Sequence, residues 1–550
     1  MLLAGVFILP KWLSKGSTAQ PIPEEKYFNA PGFNPDLTDP ATDGKPNEPP
    51  NEGELCMLAG NRFDVELSSR GAGIKRWLLK DPQFVGTEAE DMTTRPDHER
   101  WRSLRTLFRN GEANDQLEFD RFMWTKSQVS AKECRFEYAK EGLVRIEKTF
   151  KTGDAPYELL VETKVTNLAA EKKKHAFSIE SFSYRKNEQT KGSFGRISPF
   201  TTELVCGEKE VVRKAKEDFK EGWFVGKEET TFSAVSNYFF AQAVVPEIGS
   251  KAKCELLAEA WYASGQAPDD DKAGAVYHAK LVYPNAELAP NQSTTYKQTA
   301  YFGPKDRSIL SKAAEGRGLS NLINLGFFSP VAQVLVGILV FFHKHVTFGN
   351  WGLAIIFMTI ALRLALFPLT WKSIQTTVKM RRLKPDLDAL NVKFADDPAG
   401  KNLAMMELYR TKGVNPFGGC LPQLVQMPVW FAMFTTLQTA VELYHTKFLY
   451  FKDLTDRDPY FILPLVLGAC MILQQRIVPQ TGMDPMQQKM MMYFMPALFT
   501  FMMLFLPAGL ALYSLTNSLF FIVQQLVVEY FFPRSKDEGI VVKTIPAGSE

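Results

Sequence analysis

One apolar run constrains this chain more than any other feature. Residues 351–370 (WGLAIIFMTIALRLALFPLT) contain a single charged residue, Arg363. At about 1.5 Å rise per residue, a helix of this length matches a hydrocarbon core of roughly 30 Å, so the run predicts a transmembrane helix. An arginine inside such a helix costs about 2.5–3.5 kcal/mol on insertion scales. We therefore expect Arg363 to face a polar cavity or a partner rather than lipid.

Charge is distributed unevenly along the 550 residues. Charged residues are dense before about residue 318, and long uncharged runs dominate after it, which predicts at least two domains. The formal net charge of +3 is too small to indicate nucleic-acid binding. No phosphate-binding loop, dinucleotide fingerprint, zinc motif or nucleophile elbow occurs in a suitable context. The sequence therefore predicts a protein that is not an enzyme and uses no cofactor or metal.

The charged half divides into three regions. Residues 1–14 are too short in apolar sequence to span a membrane, and predict either the remnant of an N-terminal anchor or a short signal segment. Residues 15–54 carry eight prolines, which predicts a flexible linker. Residues 55–305 show short alternating segments separated by turn residues, which predicts an extracytoplasmic β-sandwich. We identify no catalytic His/Glu pair in this sandwich. Examples of the alternating segments are residues 62–67, 144–150 and 157–167.

The six cysteines show no metal-ligand spacing. Four of them lie in the charged half, where they form one or two disulfides or remain buried thiols. These four residues are Cys56, Cys134, Cys206 and Cys254.

The region 318–346 admits two interpretations. Residues 318–342 are uncharged and long enough to span, so hydropathy favours a transmembrane helix. The alternative is a helix lying along the membrane surface. Residues 350–532 then predict five spans, because three uncharged blocks follow the run 351–370 and Pro507-Ala508-Gly509 divides the last of them. The three blocks are residues 414–441, 459–475 and 490–528.

Loop charges orient these spans. The connector 372–412 has nine Lys/Arg against five Asp/Glu, so we expect it in the cytoplasm, together with the tail 533–550. Its amphipathic pattern, interrupted at Asp396-Asp397-Pro398, predicts a helical hairpin. Asn350 then lies outside, and the β domain lies outside too if residues 318–346 are interfacial.

The predicted spans contain no acidic residue that could neutralise Arg363. Arg363 lies eight residues before Trp371, roughly 12 Å from the predicted cytoplasmic end, and Thr359 shares its face. A fixed positive charge without a carboxylate is a poor proton relay but a suitable transient site for anionic groups. The structural alternative is an arginine that snorkels to the interface. A solute transporter with a ligand-binding β ectodomain is the alternative function.

Six stretches within about residues 350–525 form an ordered series of motifs: NWGLAIIFMTIALRLALFPLT, KMRRLKPDLDAL, YRTKGVNPFGGCLPQLVQMP, DPYFILP, DPMQQKMMMYFMP and PAGLALYSLTN. This series resembles the YidC/Oxa/Alb family of membrane protein insertases, in its Gram-negative form with a large periplasmic domain. The resemblance implies an α+β membrane protein: a periplasmic β-supersandwich, an interfacial helix and a five-span insertase core with a cytoplasmic hairpin, in the bacterial inner membrane.

The resemblance also implies roles for individual residues and partners. A hydrophilic groove would contain Arg363, Thr359, Gln426 and Tyr513. A slide for the client helix would contain Met427, Phe431, Met495, Phe499 and Met502, and the cytoplasmic hairpin would present Lys379, Arg381, Arg382 and Lys384. The implied partners are nascent membrane proteins, membrane lipids, the ribosome and the Sec translocon.

Overall fold

The structure is a computed structural model. It describes residues 53–531 apart from short gaps, and residues 1–52 and 532–550, where the anchor remnant, linker and tail are predicted, lie outside the described residues. The chain divides into two compact units. Within the described residues, the β-rich unit comprises residues 53–324 and Thr439–Tyr444, and the helical unit comprises Leu325–Gln438 and residues 445–531. The gaps are residues 85–90, 96–101, 110–115, 120–121, 192–197, 221, 227–229, 263–266, 268, 395–396, 415–420, 478–485 and 487–488.

In the described part of the β-rich unit, antiparallel strands form three sheets. The strands are β1 Leu55–Ala59, β2 Phe63–Ser68, β3 Gly73–Leu79, β4 Arg105–Arg109, β5 Gln116–Glu118, β6 Thr125–Ser130, β7 Glu133–Lys140, β8 Val144–Thr152, β9 Glu158–Asn167, β10 Lys173–Lys186, β11 Glu203–Gly207, β12 Val212–Lys214, β13 Phe224–Val225, β14 Phe232–Ser236, β15 Phe240–Pro246, β16 Lys253–Trp261, β17 Gly274–Val282, β18 Ala286–Leu288 and β19 Ser293–Pro304. Their orders are β1-β2-β3, then β13-β16-β17-β10-β4-β5 with β18 beside β10, and β12-β11-β14-β15-β19-β9-β8-β7-β6.

The predicted β-sandwich is confirmed by the way strand faces alternate. Along β9, Leu159, Val161 and Val165 are buried while Leu160 and Glu162 are exposed, as period-2 side-chain alternation requires. The apolar core contains residues of both large sheets, including Phe177 and Leu281 from one and Phe150 and Ala243 from the other. Removal of this apolar surface from water is the main term that stabilises the unit.

One disulfide joins two strands of the β-rich unit. It links Cys56 on β1 to Cys134 on β7, 78 residues apart in sequence. Cys206 and Cys254 are buried free thiols. The sequence left one disulfide, two disulfides or free thiols open, and the structure contains one bridge among these four residues.

A short segment from far along the chain completes the core of the β-rich unit. The side-chain amide of Gln83 donates hydrogen bonds to the carbonyls of Val441, at 2.9 Å, and Tyr444, at 2.7 Å. The Tyr444 ring lies 4.8 Å from that of Phe239 and 5.6 Å from that of Phe240. Burial raises the pKa of Glu442 in the same segment to about 7. The six residues Thr439–Tyr444 therefore fold as part of this unit.

Nine helices of eight or more residues occur in the described part of the helical unit. Their bounds are α1 Ser329–His345, α2 Trp351–Ala365, α3 Phe367–Arg382, α4 Lys384–Lys393, α5 Pro398–Thr411, α6 Leu421–Thr439, α7 Ile462–Ile477, α8 Met495–Met503, which a π-helical turn Met490–Phe494 precedes, and α9 Ala508–Phe531. Shorter helical turns are Asn187–Thr190, Lys216–Asp218, Arg307–Leu310, Ala313–Gly316, Leu319–Leu322 and Val441–Leu443.

The span that hydropathy predicted at residues 318–342 does not form. The run contains a 3-10 turn, Leu319–Leu322, and Gly326 at a φ of 67°, and α1 begins only at Ser329. Its buried side chains, Ala332, Leu335, Val336 and Leu339, follow helical spacing, whereas Val334 and Phe341 are exposed. Such one-sided burial is typical of a helix that lies on a surface, as the family resemblance implies.

The predicted helix over residues 351–370 is broken. α2 ends at Ala365, and α3 begins at Phe367 with an axis bent by 55°. Pro368 accounts for the break because it lacks an N–H and its ring clashes with the carbonyl four residues earlier. Arg363 therefore lies in the last turn of its helix, closer to the helix end than the unbroken run suggested.

The other helices follow the predicted blocks. α6, α7, α8 and α9 match them, with the last block divided at Pro507 as predicted. Within the described residues, Ala508–Val528 alone is long and apolar enough to cross a membrane by itself. The bent pair α2–α3 meets the same test jointly, and Ile462–Ile477 and Met490–Met503 are shorter apolar helices. Five crossings therefore stay a prediction.

The predicted hairpin at residues 372–412 is confirmed as a helical structure. α4 and α5 contact each other, and Asp397 caps α5 by accepting a hydrogen bond from the Gly400 amide at 3.0 Å. Leu383, Leu387 and Val414 form a small buried cluster at its base.

Candidate functional site

Three helices bring a polar cluster together around Asn517. The Asn517 side-chain oxygen on α9 accepts a hydrogen bond from Nε of Arg363 on α2. It also accepts one, at 3.4 Å, from the amide of Gln426 on α6. α2 packs directly against α9, so this meeting point follows from helix packing rather than from sequence proximity. Two of the predicted groove residues therefore share one acceptor.

Tyr513 belongs to the same cluster. It is buried one helical turn before Asn517, within hydrogen-bonding reach of Gln426 and close enough to Arg363 for an electrostatic interaction. The structure thus brings together Arg363, Gln426 and Tyr513 of the predicted groove. Asn517 is the residue that the prediction omitted. Its spacing of four from Tyr513 was the available signal.

Thr359 is placed differently. It is buried on α2, and its hydroxyl donates a hydrogen bond of 2.7 Å to the Ile355 carbonyl of its own helix. This bond satisfies the hydroxyl within the helix, so the described contacts do not join Thr359 to the Asn517 cluster.

Arg363 is half-buried and meets uncharged partners. Among the described residues, no carboxylate forms an ion pair with its guanidinium. A guanidinium carries five N–H donors, and Asn517 accepts from only one of them, at Nε. The positive charge is therefore held in place without being neutralised.

Further polar groups lie inside the same set of helices. The amide of Gln474 on α7 donates to the Ser518 carbonyl at 2.9 Å. In the described part of the helical unit, three buried side-chain groups have no protein hydrogen-bond partner: the hydroxyls of Thr436 and Ser514 and the amide nitrogen of Gln524. Buried polar groups of this kind are normally satisfied by water, so the helix interior suits hydration.

The residues predicted for a client slide lie on α6 and α8. Phe431 stacks on Phe328 at 5.8 Å, and Phe499 lies 6.2 Å from the ring of Trp430, a residue that the prediction omitted. Met427, Met495 and Met502 are half-buried. The two helices therefore approach through aromatic rings, and part of the predicted slide is packed in the described structure.

The hairpin presents part of its predicted cationic surface. Lys379 and Arg382 are exposed, while the side chains of Arg381 and Lys384 lie outside the described residues. The apolar side chains of Val392, Leu403 and Met406 are also exposed on the hairpin.

The β-rich unit contains a His/Glu arrangement that the sequence analysis did not identify. His278 on β17 contacts Glu180 on β10 at 2.7 Å through Nδ1 and Glu259 on β16 at 3.2 Å through Nε2. The three residues lie far apart in sequence, and only the registers of β10, β17 and β16 bring them together. The absence of a catalytic His/Glu pair stays a prediction, because these contacts show only that three side chains of neighbouring strands meet.

Two solved structures resemble this chain at low sequence identity. A crystal structure of an active YidC insertase with its first transmembrane domain resolved has a TM-score of 0.38 and 17% identity, over 96% of this chain and 100% of that one. A galactose mutarotase-like protein from Lactobacillus casei has a TM-score of 0.35 and 12% identity, over 45% of this chain and 100% of that one. These scores are too low to support an argument.

Sequence comparisons show the family to which this chain belongs. The family described as YidC periplasmic domain matches residues 58–338, and the family described as 60Kd inner membrane protein matches residues 341–535. The membrane protein insertase YidC of Anaeromyxobacter dehalogenans (strain 2CP-C) is 34% identical over 489 residues, which are 86% of this chain and 84% of that protein. The protein of the same name from Geobacter sulfurreducens is 38% identical over 305 residues, 55% of this chain and 53% of that one. The solute-transporter alternative has no support, and the chain belongs to the YidC family of inner-membrane protein insertases.

Proposed function

We propose that this protein moves transmembrane segments of nascent membrane proteins from a polar, positively charged groove, open to the cytoplasm, into the lipid bilayer. The observation that carries the proposal is Arg363, held by Asn517 and not neutralised by a described carboxylate. Such a charge attracts acidic or polar client segments without binding them as a permanent ion pair. No enzymatic step, cofactor or metal is part of the proposal.

Buried polar groups that favour hydration of the helix interior support the same mechanism. Polar client segments cross a hydrocarbon core only at a high free-energy cost, because their groups lose hydration there. The buried polar groups at Thr436, Ser514 and Gln524 favour water among the helices. Arg363, Gln426 and Tyr513 would form the wall of a hydrated groove, with Thr359 structuring α2 beside it. The client's polar segment would then cross a shorter low-dielectric path.

The apolar surface of α6 and α8 is the proposed exit route. Met427, Phe431, Met495, Phe499 and Met502 offer polarisable and aromatic surface that adapts to clients of varied sequence. Client hydrophobicity and the membrane potential would drive the movement into lipid. The stacked Phe328–Phe431 contact and the tilted Trp430–Phe499 contact would have to separate as a client passes.

The proposed topology places the β-rich unit in the periplasm and the hairpin and C-terminus in the cytoplasm. The basic excess of residues 372–412 supports this orientation, and the Cys56–Cys134 disulfide suits an oxidising compartment. A cytoplasmic hairpin with exposed Lys379 and Arg382 would suit docking of the ribosome or the Sec translocon. Labelling of an introduced cysteine at position 379 only from the cytoplasmic side, and at position 350 only from the periplasmic side, tests this topology.

Replacing Arg363 tests the groove. We expect Arg363→Ala to slow insertion of a single-span client with an acidic tail by roughly tenfold or more, because hydrogen bonds to charged groups contribute about 1.5–3 kcal/mol. Arg363→Lys should retain most activity. The measurement is protease protection of a radiolabelled client in vesicles containing the purified full chain.

The matched control is Arg476→Ala, which removes an exposed cation in the last turn of α7. It should leave the insertion rate unchanged. An Arg363→Ala protein that folds normally and inserts the acidic client at the wild-type rate would refute the role proposed for this charge.

A further inference from the structure

Two tight turns of the helical unit present bulky apolar side chains to the outside. Phe348, between α1 and α2, is 99% exposed, and Leu449, between α6 and α7, is 78% exposed. Tyr460 and Phe461, just before α7, add to this surface, with Tyr460 67% exposed. We call Phe348, Leu449, Tyr460 and Phe461 the apolar ridge.

The backbone at the ridge is strained. Phe348 has a φ of 50°, Leu449 of 51° and Phe461 of 57°. Bulky L-residues rarely occupy this left-handed region, where glycine or asparagine is usual, so each of these positions carries a steric cost. Strain of this kind persists only where the surrounding structure fixes it, and it points to a function for the side chain presented.

Each turn is fixed by its own hydrogen bonds. Around Phe348, the Gly349 amide donates to the His343 carbonyl at 3.0 Å, and the buried hydroxyl of Thr347 donates to the Asn350 carbonyl at 2.9 Å. Around Leu449, the amides and carbonyls of Phe448 and Phe451 pair reciprocally, at 2.9 and 3.1 Å. The ridge side chains are therefore held outward on rigid turns.

The parts of the ridge are neighbours. The ring of Phe448 packs against Gly352 in the first turn of α2, four residues after Phe348, where any β-carbon would clash with it. The ring of Tyr450 lies 5.8 Å from that of Tyr460, and its hydroxyl donates to the buried carboxylate of Asp458 at 2.9 Å. Asp458 also accepts the Leu463 amide at 2.7 Å, which ties the turn to α7. The ridge is one built surface at the end where α2 begins.

We propose that the apolar ridge inserts into the outer-leaflet interface of the membrane and fixes the depth of the helical unit there. The proposal rests on the function and orientation proposed above. Aromatic and apolar side chains beside exposed cations are the composition of membrane–water interfaces, and Lys344, Lys447 and Lys452 are exposed near these turns. The ridge continues directly into α2 and α7, which are proposed to span. A lipid interface is therefore its natural partner.

Spin labels measure the depth of the ridge. Single cysteines F348C, L449C and Y460C are introduced into the full chain with Cys420 and Cys470 replaced by serine, while Cys206 and Cys254 are buried and Cys56 and Cys134 are bridged. The labelled protein is reconstituted in phosphatidylethanolamine/phosphatidylglycerol vesicles. Collision of each label with oxygen, which partitions into lipid, is compared with collision with a water-soluble nickel chelate.

Ile248, an exposed apolar residue of the β-rich unit, provides the matched aqueous control. We expect nickel accessibility at positions 348 and 449 to be severalfold lower than at I248C, with higher oxygen accessibility. Equal nickel accessibility at 348, 449 and 248 overturns the proposal. Dipolar broadening between labels at these positions also overturns it, because it would show that a second copy covers the ridge.

A label at L465C, on the exposed face of α7, separates this proposal from the proposed function. If position 465 is in lipid and position 348 is in water, the ridge proposal alone fails. If position 465 is also in water, the membrane placement of the helical unit fails with it.

Discussion

In the β-rich unit a row of charged side chains crosses four neighbouring strands, whereas in the helical unit the partners of Arg363 among the described residues are uncharged. Arg105 on β4 lies opposite Glu180 on β10, which lies opposite Lys280 on β17, and Lys280 lies opposite Glu255 on β16. All four side chains are buried. Arg105 contacts Glu180 at 2.7 Å, and Lys280 approaches it to 3.9 Å. Signs alternate along this row.

The difference shows what each charge is able to do. Burial alone would raise the pKa of Glu180, but Lys280, Arg105 and His278 lower it well below its usual value. That carboxylate is therefore saturated by its neighbours and serves the fold. Arg363 is positioned by the neutral oxygen of Asn517, which accepts a hydrogen bond without neutralising the charge, as the proposed interaction with a client requires. The paired charges of the β-rich unit therefore stabilise its fold, whereas the charge of Arg363, unpaired among the described residues, produces a positive electrostatic potential around it.

The largest expected effect comes from breaking the compensated row. Glu180→Gln leaves Arg105, Lys280 and His278 buried without their shared carboxylate, and removing one partner of a buried ion pair costs about 3–5 kcal/mol. We expect the free energy of unfolding of the β-rich unit to fall by that amount in urea titrations of the purified full chain. Glu162→Gln, at an exposed position on β9, should change it by no more than about 0.5 kcal/mol. Equal effects of the two changes would mean that the row does not stabilise the unit.

The second test gives Arg363 a carboxylate partner, as the buried cations of the β-rich unit have. Asn517→Asp places a carboxylate where Arg363 already donates, so the charge becomes compensated with almost no change in shape. We expect insertion of an acidic-tailed client to fall roughly tenfold, while the helical unit gains about 1 kcal/mol of stability or none. Protease protection and thermal unfolding measure the two quantities.

Asn517→Leu separates neutralisation from loss of the hydrogen bond. It removes the acceptor of Arg363 and Gln426 but adds no charge, so insertion should fall less than with Asn517→Asp. If the leucine variant is the more impaired of the two, positioning of the guanidinium matters more than its free charge.

The smallest expected effect is a pH dependence confined to the β-rich unit. Burial lowers the pKa of His278, but Glu180 and Glu259 outweigh it and raise that pKa above its usual value of about 6.5. A raised histidine pKa contributes stability that is complete below the unfolded pKa and is lost as pH rises through the folded pKa. Stability should therefore decline from about pH 6.5 upwards.

Lys280 limits the pH range over which this decline in stability is expected. Burial lowers its pKa to about 8, so above that pH its deprotonation in the folded state favours folding. Thermal unfolding between about pH 6.5 and 8 should show the decline in the wild type and lose it in His278→Gln. A decline that persists unchanged in the variant would contradict the assignment to His278.

The sequence by itself determined the β-sandwich, most of the helices and the family of this protein. Period-2 alternation at residues such as Leu159 and Val161 predicted the sandwich, because side chains on a strand alternate between faces. Uncharged runs predicted the helices from α6 onward, and the motifs around Arg363 and Tyr513 identified the family. These properties are local, so a single stretch of sequence carries them.

Only the tertiary structure decided which distant residues meet. Asn517 joins Arg363 to Gln426 across three helices, and Glu180 meets Arg105, Lys280 and His278 because of strand register. The exposure of Phe348 likewise depends on the turns packed beneath it rather than on its own sequence. Arg363 could be recognised as a costly charge from sequence because hydropathy is local. Its uncharged partner, Asn517, could not be recognised from sequence, because packing between helices brings together side chains that are 154 residues apart.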